Sequence, residues 1–291
     1  MSFQLIEAEK ANYSAALMCR ALELSRSGYH AWCTRGPSPR ERETAKLDVE
    51  VAAVFQEKKK RYGAPRIRAE LARRGLHTSR KRVARSLRNQ QLAARPKRRF
   101  VHTTNSKHNE AIAPNLLQRD FSAEAPNRVW VADTTYLPTL LGFIYLVVVI
   151  DLFSRKVVGW VVGDDLNAEL SREAFRRAVA KRSPPPGLIF HSDRGSEFAA
   201  KRFSDALKTV GAAQSMSRSG DCWDNAPSES FFSTVEFEFE AGAAWREAAD
   251  SDPELFAFIE VWYNAERLHS HNGNRSPNEA EAHWRRDALA T

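Results

Sequence analysis

Residues 144–152 read Ile-Tyr-Leu-Val-Val-Val-Ile-Asp-Leu, an almost unbroken apolar run. In a strand, alternate side chains point to opposite faces. A run of this kind is therefore stable only where both faces are covered, at the centre of a layered α/β domain. It is too short to cross a bilayer, which needs about 20 apolar residues. Strands are also expected over 129–137 and 157–162, with Ser154-Arg155-Lys156 as the turn before the latter. Residues 168–181 follow with helical spacing, placing Leu170, Ala174, Phe175 and Val179 inward, until Pro184-Pro185-Pro186-Gly187 stops them. A strand is expected over 188–191 and a helix over 196–210, with Phe198, Phe203 and Leu207 at helical spacing. A fifth strand over 213–216 and a further helix complete the order.

Acidic residues interrupt or follow these elements at three places. Asp133 lies in Val131-Ala132-Asp133-Thr134-Thr135-Tyr136. Asp193 lies in His191-Ser192-Asp193-Arg194-Gly195-Ser196. Glu229 lies in Asp224-Asn225-Ala226-Pro227-Ser228-Glu229-Ser230-Phe231-Phe232, with 35 residues between it and Asp193. Carboxylates are hard oxygen ligands that suit Mg²⁺ or Mn²⁺. Crowded together they repel, and a cation relieves the repulsion. Two such ions about 3.5–4 Å apart are the general apparatus for moving phosphodiester bonds. Any one of these motifs is weak evidence alone; the three in order are specific.

Together the motifs resemble the DDE transposase and retroviral integrase superfamily. More narrowly, they resemble the second-reading-frame subunit of the IS-three family of bacterial insertion-sequence transposases. The resemblance runs from Ser25-Arg26-Ser27-Gly28-Tyr29 to Arg275-Ser276-Pro277. It implies a ribonuclease-H-like core, a mixed five-stranded sheet with helices, preceded by an all-α helix-turn-helix region. It implies that Asp133, Asp193 and Glu229 are the catalytic and metal-binding residues, holding two Mg²⁺ (or Mn²⁺) ions. The reaction implied is strand cleavage at the element's end, then strand transfer by attack of the freed 3′-hydroxyl on target DNA. The implied partners are element-end and target DNA, further copies of the chain on that DNA, and an upstream-frame protein, separate or fused by frameshifting. A cytoplasmic, nucleoid-associated protein without a membrane partner is expected. Two alternatives stay open: a ribonuclease-H-like nuclease that cuts without joining, and a decayed or repurposed non-catalytic DNA-binding derivative.

Charge separates the front of the chain from its rear. The net charge is +8, but residues 1–110 hold 25 Lys/Arg against 10 Asp/Glu, and residues 111–291 hold 19 against 26. A basic front points to a polyanionic partner there. Residues 3–24 are expected to be helical, with Ile6, Leu17, Leu22 and Leu24 apolar. Ser25 and Ser27 cap a turn carrying Tyr29 and Trp32, and Arg35-Gly36-Pro37-Ser38-Pro39 is a linker. A helix over 41–60 carries Leu47, Val51, Val54 and Phe55 on one face. A helix over 65–74 begins with Pro65 and ends before Gly75. Thr78 or Ser79 caps a third helix over 79–90. Its inner face holds Val83 and Leu87, and its outer face holds Arg80, Lys81, Arg82, Arg85 and Arg88. Two short helices, the second basic, form the helix-turn-helix pattern. The expected DNA contacts are those five residues, Lys97, Arg98 and Arg99 beyond them, Arg194 beside Asp193, and Arg66 in the family's Tyr-Gly-x-x-Arg-Ile pattern. The expected domains are 1–40, helical; 41–110, helix-turn-helix; and 120–291, catalytic core with a C-terminal helical extension.

Cys19, Cys33 and Cys222 are dispersed and contain no Cys-x-x-Cys pair, so neither a disulfide framework nor a zinc site is indicated. The N-terminus shows no signal peptide. Asp151 is expected to be a strand-end residue, His191 a packed one, and Phe231 and Phe232 core; Asp224 and Asn225 are expected to serve the helix start. Tyr263-Asn264, Arg267 and His269-Ser270 resemble a family segment expected to pack and to contact DNA. Two positions depart from the family's usual pattern: Glu236 stands where Lys or Arg is usual, seven residues after Glu229, and Glu197 where Gln is usual. Residues 235–240 alternate with period two, which weakens the helix expected beyond 234.

Overall fold

The computed structural model describes residues 2–94, 110–218, 222–239 and 245–290. Within it the chain divides into two units, Met1–Lys59 with Gly63–Leu92, and Lys60–Tyr62 with Ala93–Thr291.

The second unit is built on a mixed sheet. Strands β1 (Val129–Pro138), β2 (Phe143–Asp151) and β3 (Val157–Gly163) form an antiparallel meander. β4 (Ile189–Ser192) joins the free edge of β1 in parallel, and β5 (Ala213–Met216) joins β4 in parallel, giving the order β3-β2-β1-β4-β5. β2 is buried from Leu146 to Asp151, as its apolar run requires. Helix α7 (Ala168–Arg182) covers the sheet face where Phe175 and Phe190 meet edge to face, 5.2 Å between ring centroids. The approach of α7 to β3 depends on Gly159. A Cβ there would fall 2.7 Å from Ala178 Cβ and closer still to the Ala174 carbonyl oxygen.

The helix expected over 196–210 is two helices, α8 (Ser196–Ala199) and α9 (Lys201–Thr209), separated by extended Ala200 at φ −56°, ψ 136°. Phe198 and Phe203 are the reason. Five residues apart on one helix, they would point about 140° apart at 3.6 residues per turn. The break lets both enter the core, their rings 5.5 Å apart.

After β5, a 3₁₀ turn (Cys222–Asn225) leads into α10 (Ala226–Glu238). The helix expected to weaken beyond 234 thus continues to Glu238. The alternation is local; Val235 and Glu238 are buried, and the tertiary contacts described below hold the last turn. α11 (Ala248–Phe256) passes into a π-helical segment (Ala257–Glu266), and α12 (Pro277–Ala290) ends the described chain. Buried polar side chains fasten this extension to the core. Asn264 accepts from Val157 N at 3.0 Å and donates to Val157 O at 2.9 Å, satisfying one residue on the outer edge of β3. Glu281 receives Arg182 through two hydrogen bonds of 2.7 and 2.9 Å, and the Ser154 hydroxyl at 2.9 Å.

The first unit is all helix: α1 (Ser2–Glu9), α2 (Ala15–Ala21), α3 (Arg26–Thr34), α4 (Pro39–Glu57), α5 (Ala64–Arg73) and α6 (Arg80–Asn89). The single helix expected over 3–24 is two, because the Ser14 side chain accepts from Leu17 N and starts α2 afresh. Ile6 and Cys19 are buried there, whereas Leu17 and Leu22 are exposed. Ser25 caps α3, and Ser38 with Glu41 forms a capping box on α4. Ser79 caps α6, and Gly75 sits past α5 at φ +82°. Ile67 and Leu71 of α5, Val83 and Leu87 of α6, and Leu47, Val51 and Val54 of α4 are all buried, the core of a three-helix motif.

Gly159→Ala should cost about 2 kcal/mol, because the new methyl overpacks a rigid strand–helix contact. Urea unfolding of the two proteins measures it, and unchanged midpoints would mean that α7 shifts freely.

Candidate active site

The parallel pairing of β1 with β4 runs in the register Val129↔Ile189 to Ala132↔Ser192. The next residues along the chain are Asp133, still within β1, and Asp193, just past β4, so the two acids come together where the pairing ends. Asp133 is 6% exposed. Thr134 N donates to Asp133 Oδ1 at 2.8 Å, and Gly195 N donates to Asp193 Oδ1 at 2.9 Å. Glu229 lies in the first turn of α10. That turn is tethered to the same strand end, since Asn225 Nδ2 donates to Ala132 O at 3.3 Å. Burial first, then the charge of Asp193, with Glu197 and Glu229 adding to it, pushes the Asp133 carboxyl well above the usual range.

Asp224 and Asn225 do not cap α10 through their side chains. Asn225 reaches Ala132 and accepts from Ser228 Oγ at 3.1 Å. Asp224 is buried and gathers two separate segments, residue 218 and residues 115–119. Arg218 donates through Nη2 at 2.8 Å and through its backbone N at 2.9 Å, Asn115 through Nδ2 at 2.9 Å, and Arg119 through Nε at 3.1 Å. These bonds, led by Arg218, hold the Asp224 carboxyl far below the ordinary range. His191 joins the same turn. Its Nε2 is 3.0 Å from Asp224 O and its Nδ1 2.8 Å from Ser215 Oγ, and burial lowers its pKa. It is a packed histidine, as expected. At the far end of α10, buried Glu238 accepts from Arg267 Nε at 3.0 Å and from Trp262 Nε1 at 3.0 Å, while Arg267 Nη2 reaches Thr234 Oγ1 at 3.0 Å. The helix carrying Glu229 is thus secured at both ends. Asp151 is a turn organiser, accepting from Asn127 N at 2.6 Å and Phe153 N at 3.0 Å. Phe231 and Phe232 are core.

The donor set fits a divalent cation in its chemistry: hard-oxygen groups, Asp133 buried and Asp193 and Glu229 half-buried, whose repulsion a cation would relieve. Among the described residues, no three such side chains already stand as a ligand set, and Asp133 and Asp193 each face a local backbone N–H instead.

An integrase core domain model matches residues 123–222, a second integrase core domain model residues 210–277, and an HTH-like domain model residues 41–100. The transposase InsF for insertion sequence IS3A of Escherichia coli is 38% identical over 283 residues, 97% of this chain and 98% of that one. The chain belongs to the IS3 family of insertion-sequence transposases. The transposase for insertion sequence element IS904 of Lactococcus lactis is 41% identical over 247 residues, 85% of this chain and 98% of that one. A 31 kDa protein of insertion element IS600 from Shigella sonnei is 38% identical over 260 residues, 89% of this chain and 96% of that one. A chain of a simian T-cell lymphotropic virus intasome superposes at TM-score 0.47 and 14% identity over 74% of this chain and 70% of that one, too loosely to bear on the site. The fold is the integrase-core, ribonuclease-H-like type, a mixed five-stranded sheet with helices, and the helical front is HTH-like. The function is that of a DDE transposase, a polynucleotidyl transferase; a nuclease that only cuts and a decayed derivative are not favoured.

In this transposase the residues expected to contact DNA divide by environment. Arg80, Lys81, Arg82, Arg85 and Arg88 lie on α6, whose opposite face buries Val83 and Leu87. Arg66 is on α5. Arg194 donates from Nε to Ser217 O at 2.7 Å, bridging the segments that follow β4 and β5. Lys97, Arg98 and Arg99 lie outside the described residues. Arg267, Asn264 and His269 are buried, the packing role expected of their segment. Glu236 shares the Glu229 face of a continuous helix, two turns on. The Asp224 cluster had no signal in sequence, because its partners lie up to 109 residues away.

The folded protein holds the Asp133 proton more tightly than the unfolded chain does. From the ordinary value near about pH 4 up to the raised folded value, the native state therefore binds more protons, and stability falls as pH rises. Asp133→Asn removes that fall. In EDTA the variant should gain melting temperature over the native chain between about pH 5 and about pH 8. Thermal melts across that range check this, and melting curves that stay parallel would contradict it.

Proposed function

We propose that Asp133, Asp193 and Glu229 are the catalytic residues and that they hold two divalent ions, Mg²⁺ or Mn²⁺. The observation that carries this reading is the register of β1 on β4, which brings two acids together, with Asn225 tying the Glu229 helix to the same place. When bound, the ions would activate water or a DNA 3′-hydroxyl and stabilise the leaving oxygen of an in-line displacement. Asp133 and Asp193 would turn their carboxylates from the backbone N–H groups of Thr134 and Gly195 toward the cations. Asn225 and the Asp224 cluster would keep Glu229 within reach.

DNA is bound at the basic front, with Arg80, Lys81, Arg82, Arg85 and Arg88 of α6 toward phosphates and bases, and Arg66, Arg194, Lys97, Arg98 and Arg99 are further DNA-contacting residues. The working division is 1–40, 41–110 and 120–291. The active species is a homo-oligomer on element ends and target DNA, joined by an upstream-frame partner or fusion. No described helix is long and apolar enough to cross a membrane; a cytoplasmic, nucleoid-associated site of action fits a DNA substrate.

Asp193→Asn should abolish cleavage of the element's own ends in Mg²⁺ while leaving circular dichroism unchanged. Cleavage at the native rate would remove Asp193 from the catalytic set.

Reversing Arg82 and Arg85 to Glu should weaken DNA binding by residues 1–110. It should also flatten the dependence of log affinity on log salt by about one for each phosphate no longer neutralised. Gel shifts over a salt series measure both, and an unchanged slope would place those side chains away from DNA.

A further inference from the structure

Residues 2–34 lie ahead of the HTH-like match, which covers residues 41–100. They fold into three helices with a small core of their own. Ile6 of α1, Cys19 of α2 and Tyr29 of α3 are buried, with Phe3, Met18, Leu24 and Trp32 packed around them. The Phe3 ring lies 6.1 Å from the rings of Tyr29 and Trp32, and the Tyr29 hydroxyl donates to Glu7 Oε2 at 2.7 Å. α1 is thereby fastened along the inner face of α3.

The connection between α2 and α3 is short and fixed at both ends. α2 has seven residues, the turn is 22–25, and α3 has nine residues. Leu24 N donates to Cys19 O at 2.8 Å and Glu23 N to Arg20 O at 3.2 Å, a helix ending that needs one left-handed residue. That residue is Glu23, at φ +54°. Glycine is the usual occupant of such a position, and here Leu24, packed on the core, holds the backbone in place. Ser25 starts α3 at once, its Oγ accepting from Gly28 N at 3.1 Å. A short helix, a four-residue turn and a second helix braced by a third form the helix-turn-helix arrangement, in which the second helix enters the major groove.

The outward side of α3 fits that use. At about 100° per residue, Ser27, His30, Ala31 and Thr34 fall within about 100° of arc, opposite Tyr29 and Trp32. All of them are exposed. Hydroxyl and imidazole groups exchange hydrogen bonds with base edges, and a methyl group meets the thymine methyl. Arg26 stands at the side of this face, and residues 24–40 hold Arg26, Arg35 and Arg40 with no Asp or Glu. The exposed leucines of the region, Leu5, Leu17 and Leu22, lie on α1 and α2 and at the turn. The α3 face is thus small, polar and flanked by positive charge, which suits a polyanion with polar groove edges. We propose that residues 2–34 are a second helix-turn-helix, with α3 reading the major groove of duplex DNA. The transposase then carries two readers, α3 and α6, separated along the chain by α4 and α5, and it reads an element end as two stretches of sequence. This goes beyond the α6 reading and does not depend on it.

The test uses the full chain and duplexes carrying the element's own ends, with binding and base preference measured in EDTA so that no cleavage intervenes. Ser27→Ala combined with His30→Ala should weaken binding to those ends about tenfold and relax base preference over about three adjacent pairs. Binding to unrelated duplex should stay the same. Arg26→Gln should instead lower the salt slope by about one and leave base preference intact. Ala31→Gln, which only adds a side chain to the outer face, should change the preferred bases; it carries the test if the double variant does not fold. Unchanged end affinity and unchanged preference in these variants overturn the proposal. So does a change in oligomeric state by sedimentation with DNA binding intact, which would make α3 a contact between protein chains. Reversing Arg82 and Arg85 to Glu keeps the two readers apart. If that reversal weakens binding and the α3 variants do nothing, only the α3 reading falls. If the α3 variants shift base preference and the reversal does nothing, only the α6 reading falls.

Discussion

The parallel pairing of β1 with β4 is the constraint on which the rest of the catalytic unit depends. Parallel strands cannot be joined by a tight turn. The chain must leave β1, build β2 and β3 on one side, cross on α7 and return on the other. That detour brings residues 60 positions apart to adjacent strand ends at Ala132 and Ser192. Like charges placed there repel, and burial removes the water that would screen them. The pairing is therefore destabilising where it is most useful, and core packing offsets it: Trp130, Phe175, Phe190, Phe198 and Phe203 form a continuous set of ring contacts behind it.

Glu229 poses a different problem, since no strand pairing delivers it. Its helix is held from outside. The Asp224 cluster and Asn225 secure the first turn, and the buried Glu238–Arg267 pair secures the last. Removing one partner from a buried ion pair leaves an uncompensated charge and is strongly destabilising. Such bonds hold a geometry once formed and are poor general stabilisers. The C-terminal extension contributes by supplying Arg267 and Trp262, whose polar atoms meet Glu238 on the helix that carries the third acid.

Much of this was legible in the residues. The apolar run at 144–152, the breaker clusters and the period of 168–181 located five strands and the crossing helix to within a residue or two. The caps at Ser25 and Ser79 and the C′ glycine at Gly75 were readable because capping is local chemistry, decided within about four residues. The differences share a cause: local pattern yields to packing or to a stronger local bond. The helix over 196–210 breaks at Ala200 because two rings must reach one core. The helix beyond 234 survives a strand-like alternation because Arg267 holds Glu238. The single helix over 3–24 divides at Ser14, a cap set within a run of good helix formers.

By itself, then, the sequence determined the kinds of element, their order and the basic face of α6, because periodicity, capping and charge are properties of neighbours along the chain. Only the tertiary structure decided that Asp133 and Asp193 are adjacent and that Asp224 binds Arg218, Arg119 and Asn115. Each of those facts depends on which distant segment fills the space beside a residue. That is set by the packing of the whole unit rather than by any local preference.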